Sequence, residues 1–168
     1  MKNIFLIGFM GTGKSAISNA LNKNYHMRVI DMDSEIERRQ NSTISEIFAV
    51  KGEEYFRDLE TQLIKDLGEM DNTVVSCGGG AVLRHENVLE MKKSGKVVLL
   101  KATPETVLKR VKHCHNRPLL EGNKTVEGIS RLMEAREDKY SAAADFAVTV
   151  DDRTVDDIAA EIHSLVCS

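Results

Sequence analysis

At 168 residues, with 42% apolar and 29% charged side chains, the chain has the makeup of one compact domain that can bury a core without staples. A net charge of −3 excludes the basic excess typical of general nucleic-acid and membrane-surface binders. Cys77, Cys114 and Cys167 are odd in number and far apart; with no signal-peptide pattern and no apolar run of membrane-spanning length, they point to the cytoplasm rather than to a disulfide framework.

The first apolar run, residues 4–7, reads as a strand and leads into Gly8-Phe9-Met10-Gly11-Thr12-Gly13-Lys14-Ser15. This fits G-x-x-x-x-G-K-[ST], with a strand before it and a predicted helix over 14–23 after it. Glycines let the backbone at Gly11, Thr12 and Gly13 wrap a phosphate chain, and the helix N-terminus adds partial positive charge. Lys14 is expected to reach the β- and γ-phosphates and the Ser15 hydroxyl to ligate Mg²⁺, so the loop predicts ATP or GTP binding. It does not name an acceptor.

Residues 29–30 form the next predicted strand, ending at Asp31-Met32-Asp33. Strand residues two apart face one side, leaving one carboxylate to hold Mg²⁺ through water and the other to accept a hydrogen bond from an attacking hydroxyl. The bland alternative is a solvated turn or helix cap, which Asp and Ser34 also suit. Thr43 with Glu46 makes a capping box. On the helix through 56–67, Phe56, Leu59, Leu63 and Leu67 form the buried stripe, with Glu60 near its middle and Arg57 on its edge. An inward carboxylate needs a partner, and Arg57 lies one turn away. The pair is either structural or a braced arginine whose fork matches a substrate carboxylate.

A strand over 73–75 precedes Gly78-Gly79-Gly80, which reads as a close backbone approach to a ligand or as a tight turn. After the strand over 97–100, Thr103 caps a helix whose first residue is Pro104. Lys109, Arg110, Lys112, Arg117 and Lys124 face only Glu121 among acids in the following stretch. With Gly122 and Asn123 it reads as a lid over the nucleotide, Arg117 acting on the transferring phosphoryl, or as a solvated charged loop. His113-Cys114-His115 has no matching second ligand cluster, which argues against a metal site there. In the helix from about Thr125, Val126, Ile129, Met133, Arg136 and Tyr140 follow 3-4-3-4 spacing. Arg136 therefore points inward, where it snorkels, pairs with a buried carboxylate or meets an anionic ligand. A strand over 146–150 and a helix bearing Val155, Ile158, Ile162 and Leu165 complete the chain. Such alternation predicts a single α/β domain over 1–168 with about five parallel strands and ligands beyond their carboxyl ends.

The phosphate loop GFMGTGKS, the acidic pair Asp31 and Asp33, FRxxE at Phe56–Glu60, the triple glycine and Arg117-Pro118-Leu119-Leu120 together resemble the shikimate kinase family in order and spacing, over essentially the whole chain. The resemblance implies a three-layer P-loop kinase fold like that of nucleoside monophosphate kinases, with a substrate-binding region near 32–60 and a lid near 112–124. It implies ATP and Mg²⁺ as co-substrates, transfer of the γ-phosphate to the 3-hydroxyl of shikimate, and a place in aromatic amino acid biosynthesis. By position, Asp33 binds the shikimate hydroxyls and is the candidate base, Arg57 and Arg136 bind the carboxylate, and Gly79 and Gly80 assist through their amides. Glu60 orients Arg57, Ser15 and Asp31 serve the Mg²⁺ shell, Arg117 contacts phosphate, and Arg110 and Arg153 lie near the adenine. Ile44, Phe48, Phe56, Pro118 and Leu119 wall the shikimate ring. Cys77 stands where many family members place threonine, so it is expected to support the metal shell less well and to offer an alkylatable thiol.

A gluconate-type kinase shares the carboxylate and hydroxyls of the acceptor, but the paired inward arginines and triple glycine favour the shikimate-type site. A nucleoside monophosphate kinase fits less well, because the acceptor region suits a small acid. A regulatory module without chemistry should lack Lys14, Asp33 or an acceptor arginine, and all are present. A monomer is the simplest expectation.

Overall fold

The computed structural model describes residues 2–9, 11–111 and 125–167. Five strands, β1 (Asn3–Ile7), β2 (Arg28–Asp31), β3 (Thr73–Ser76), β4 (Gly95–Lys101) and β5 (Phe146–Thr149), pair in parallel in the order β2-β3-β1-β4-β5. Every apolar run expected to be a strand is one. Between them run α1 (Lys14–Tyr25), α2 (Met32–Gln40), α3 (Ile44–Lys51), α4 (Glu53–Leu67), α5 (His85–Ser94), α6 (Pro104–Val111), α7 (Val126–Ala143) and α8 (Val155–Cys167).

The period-2 geometry of the strands divides the core into two halves. Phe5, Ile7, Val75, Val97 and Leu99 point to one face, where Phe56, Leu63 and Ile64 of α4, Val88 and Met91 of α5 and Tyr140 of α7 cover them. Their neighbours Ile4, Leu6, Val74, Val98 and Leu100 point to the other, beneath Ile17 and Leu21 of α1 and Ile158 and Ile162 of α8. Central strands covered on both faces read as unbroken apolar runs, and each such side chain contributes ~1.5–3 kcal/mol on burial. Val155, expected on the buried stripe of α8, is 37% exposed because it stands at the first helical position, ahead of the packed turns.

Caps set the helix starts. Thr43 accepts from the Glu46 amide (3.1 Å), and its hydroxyl donates to Glu46 Oε1 (3.1 Å), so the capping box closes through the hydroxyl. Thr103 and Thr125 likewise accept from the amides of Thr106 and Gly128. Asp31 ends β2 and caps α2, accepting from the Ser34 amide at 3.1 Å. That corrects the strand reading of the acidic pair. The chain turns helical at Met32, so Asp33 lies in the first turn of α2 and strand alternation does not relate the two carboxylates.

Helices α2, α3 and α4 fill the connection between β2 and β3, which matches the stretch expected to hold the acceptor. Among the described residues, no helix is long and apolar enough to cross a membrane.

Candidate active site

The chemistry-bearing segments follow the carboxyl ends of the strands, as the parallel topology requires. Residues 8–15 follow β1, the Asp31–Asp33 segment follows β2 and the triple glycine follows β3.

In the phosphate loop, Gly8 adopts φ 147°, and a Cβ there would come within 2.8 Å of the Leu100 carbonyl. Gly13 adopts φ 93° as the N-cap of α1 and gives that helix no side-chain cap. With no side-chain cap, the N-terminus of α1 presents its partial positive charge to an anion, as a phosphate site needs. Lys14 Nζ donates to the Gly8 carbonyl at 2.8 Å and the Phe9 carbonyl at 3.2 Å, which keeps the ammonium over the loop. Arg110 of α6 donates to the Gly11 carbonyl at 3.4 Å, and its Nη1 sits 2.7 Å from where a Gly13 Cβ would be. Arg110 therefore lies against the phosphate loop. Thr12 turns its hydroxyl inward onto the Phe9 carbonyl (2.8 Å) and is buried. Ser15 is exposed in the first turn of α1.

On the acceptor side, Glu60 is fully buried, and its Oε1 accepts from Arg57 Nη1 at 2.7 Å. Arg57 also pairs with Glu53 at 3.2 Å. Burial pushes the Glu60 carboxyl up, the Arg57 hydrogen bond opposes that, and among the described residues Glu60 Oε2 has no hydrogen-bond partner. The expected inward charge and its brace are both present. Phe48 and Phe56 pack beside them as a tilted pair, centroids 5.0 Å apart, with Ile44 partly buried next to that core.

The triple glycine is where these side chains meet. A Cβ on Gly78 would stand 2.9 Å from Asp33 Oδ1 and 3.3 Å from Glu60 Oε2. One on Gly79 would stand 2.9 Å from Arg136 Nη1, and one on Gly80 would collide with the Arg57 guanidinium. The glycines are needed for space: each lacks the atom that would displace one polar side chain. Sequence reasoning named Gly78 only as part of the triplet and gave it no role of its own, which shows only once α2 and α4 are both in place.

Asp33 is solvent-accessible, but its Oδ1 is turned in against Gly78. Burial and the charge of Asp31 raise its pKa, and the positive charges of Lys14 and Arg57 act against them. One carboxylate therefore feels both the phosphate-loop lysine and the acceptor arginine. Ser15 in the first turn of α1 and Asp31 at the end of β2 are hard oxygen donors, and one carboxylate oxygen of Asp31 is taken by the cap. Among the described residues no group of three or more His, Cys, Asp or Glu converges. That donor set suits Mg²⁺ held by one or two protein oxygens with substrate phosphates and water, rather than by a protein cage.

One expectation changes. Cys77 is 2% exposed and packs in the core, with burial driving its thiol far up. It is neither a metal-shell donor nor an alkylation target in the folded chain. Arg153, expected near the adenine, donates to the Thr149 carbonyl (3.0 Å) and pairs with Glu161 (2.6 Å) and Asp157 (3.8 Å). Arg117, Pro118, Leu119, the rest of the proposed lid at 112–124 and His113-Cys114-His115 lie outside the described residues.

A family model described as shikimate kinase matches residues 10–167. The chain is 41% identical to the shikimate kinase of Geobacter sulfurreducens, covering 98% of this chain and 91% of that protein. It is 38% identical to the shikimate kinase of Caldanaerobacter subterraneus subsp. tengcongensis, over 96% and 94%. Among solved structures, shikimate kinase from Acinetobacter baumannii in complex with shikimate superposes with TM-score 0.90 at 32% identity, covering 99% of this chain and 93% of that one.

Proposed function

This chain belongs to the shikimate kinase family, and on that premise we propose that it transfers the γ-phosphate of ATP to the 3-hydroxyl of shikimate through the groups assembled on the triple glycine. The observation that carries the residue assignment is the triple glycine, where Asp33 Oδ1 crowds Gly78, Arg136 crowds Gly79 and Arg57 crowds Gly80. That sets a carboxylate beside two guanidinium groups.

Arg57, fixed by Glu60, and Arg136 take the acceptor carboxylate by charge-assisted hydrogen bonds. The Gly79 and Gly80 amides assist. This anchors the ring so that its hydroxyls reach Asp33, and the aromatic pair Phe48 and Phe56 with Ile44 lines the apolar side. Asp33 accepts the proton of the 3-hydroxyl as that oxygen bonds to the γ-phosphorus. The bond from phosphorus to the β,γ-bridging oxygen breaks, and ADP leaves. Lys14 and the loop amides hold the phosphates in line, which supplies most of the rate through position and charge. Arg110 lies on the nucleotide side of the loop. We assign Arg117 to the transferring phosphoryl, and Arg153 to the adenine side once its acidic partners release it. Ser15 and Asp31 would hold Mg²⁺, which neutralises developing phosphate charge when bound. We further take the chain to act as a cytoplasmic monomer, on the balance of charge and cysteine usage.

The test is product identity. Incubation with Mg·ATP and shikimate should give a singly phosphorylated acid by mass, with phosphorus–proton coupling at C3 by NMR. Coupling at another ring carbon would overturn the assignment of Asp33 as the base for that hydroxyl.

A further inference from the structure

The four carbonyls from Gly78 to Ala81 are all taken. Gly78 O accepts from the Ala81 amide (3.1 Å), and Gly80 O accepts from the Leu83 amide (3.1 Å). The other two are held by side chains from different helices. Tyr140 of α7 donates its phenol to Gly79 O at 2.9 Å, and Asn87 of α5 donates its amide to Ala81 O at 2.9 Å. Among the described residues, no acceptor meets the Gly79 or Gly80 amide.

Arg136 Nη1 and the Tyr140 oxygen both crowd Gly79, 2.9 Å and 3.7 Å from where a Cβ there would stand. Asn87 ends a longer chain of hydrogen bonds. Arg84 Nη1 donates to Thr61 Oγ1 at 3.2 Å, and that hydroxyl lies 2.7 Å from Asn87 Oδ1. The Ala81 carbonyl can only accept, so Asn87 must present its NH₂ there and its oxygen to Thr61. Thr61 has one proton to give and places it on Asn87 rather than on the longer contact to the Arg57 carbonyl (3.1 Å). Arg84 is fixed in turn by Asp58 and Glu54, both at 2.9 Å. Thr61 and Asn87 are buried polar groups at 7% and 1% exposure, and Tyr140 is buried at 4%. Such groups are tolerated only when satisfied.

Planarity of the peptide unit turns this bracing into function. The Gly79 carbonyl and the Gly80 N–H belong to one trans peptide and point in opposite directions. Fixing the carbonyl fixes the direction of the donor. We propose that Tyr140 and the Thr61–Asn87 pair are positioning residues, which clamp the glycine segment from α7 and from α4–α5 so that its amides and the flanking arginines present one preformed receptor to the acid acceptor. This rests on the reading of the glycine segment as the acceptor site. It predicts that loss of either clamp weakens acceptor binding more than nucleotide binding.

The experiment is steady-state kinetics with shikimate and Mg·ATP on Tyr140→Phe, Thr61→Val, Thr61→Ser and Arg136→Ala, with thermal melts in parallel. Tyr140→Phe and Thr61→Val should each raise KM for shikimate about 5-fold or more, the equivalent of one net hydrogen bond. KM for ATP should stay within about twofold of wild type on the same scale. Thr61→Ser keeps the hydroxyl and should restore the shikimate KM. Both KM values rising together, neither rising, or Thr61→Ser failing to restore while the melt is unchanged would overturn the positioning role. Arg136→Ala separates the two readings. If it raises the shikimate KM and the clamp variants do not, the clamps are structural only. If it leaves that KM unchanged, the acceptor-site reading falls, and this inference with it.

Discussion

Asp33 and Glu60 both sit where a carboxyl is held above its ordinary range, and they meet that strain differently. Glu60 is buried and braced by Arg57, whereas Asp33 remains solvent-accessible, with desolvation of its carboxyl and the charge of Asp31 raising it while Lys14 and Arg57 act against them. A carboxyl whose pKa is higher in the folded chain stabilises the fold fully only below its unfolded value, near 4. That contribution is lost as pH rises through the folded value. Asp33→Asn should therefore melt no lower than wild type at pH 7, any advantage closing near pH 4, while turnover falls by about 10²- to 10⁴-fold. The acid limb of turnover in the wild type should lie above an ordinary aspartate's pKa of about 4. Thermal melts at the two pH values and a pH–rate profile check this. Arg136→Ala should raise the acceptor KM by ~10- to 10²-fold, the loss of one charge-assisted pair. Arg57, Glu60 and Arg136 were legible in the sequence because a helix advances about 100° per residue, so a charge on an apolar stripe is visible by count. Gly78, Thr61 and Asn87 were not. Their roles depend on how α4 approaches α5 and the glycine segment, which no local pattern encodes. Cys77 was misread because proximity to a motif in sequence says nothing of whether a side chain faces the cleft or the core.

At the scale of elements, β1 shows how much a single polar residue can tie together. Asn3 is fully buried at the start of the strand; its amide donates to the Leu67 carbonyl (3.3 Å) and the Met70 carbonyl (3.0 Å), and its oxygen accepts from the Thr73 amide (3.2 Å). It joins the first strand to the end of α4 and to the start of β3. Asn3→Ala leaves those backbone groups without partners and should destabilise the chain by ~2–4 kcal/mol, measured by urea unfolding at constant m-value. A change under about 0.5 kcal/mol would show that water replaces the side chain. The five strands were readable because buried parallel strands are continuous apolar runs, and the capped helices because Thr43, Thr103 and Thr125 mark their starts. Helix α5 left no such mark. It buries only Asn87, Val88 and Met91, and its N-cap residue Arg84 makes no side-chain cap.

For the whole molecule, parallel topology brings together segments that are far apart in sequence. The phosphate loop, Asp33, the triple glycine and Arg136 come from the ends of β1, β2 and β3 and from α7, and meet at one end of the sheet. The same packing divides the cysteines, since Cys77 lies in the core while Cys167 is exposed. An alkylating reagent should label Cys167 in the folded protein and Cys77 only after denaturation, as peptide mass mapping would show. Native-state labelling of Cys77 would contradict its place in the core. The measurement that bears most directly on the central claim is ADP release from Mg·ATP with shikimate, gluconate, AMP or no acceptor. Release that depends on shikimate alone is the predicted result. Equal release with gluconate or AMP, or none with shikimate although ATP binds, would contradict the acceptor site described above.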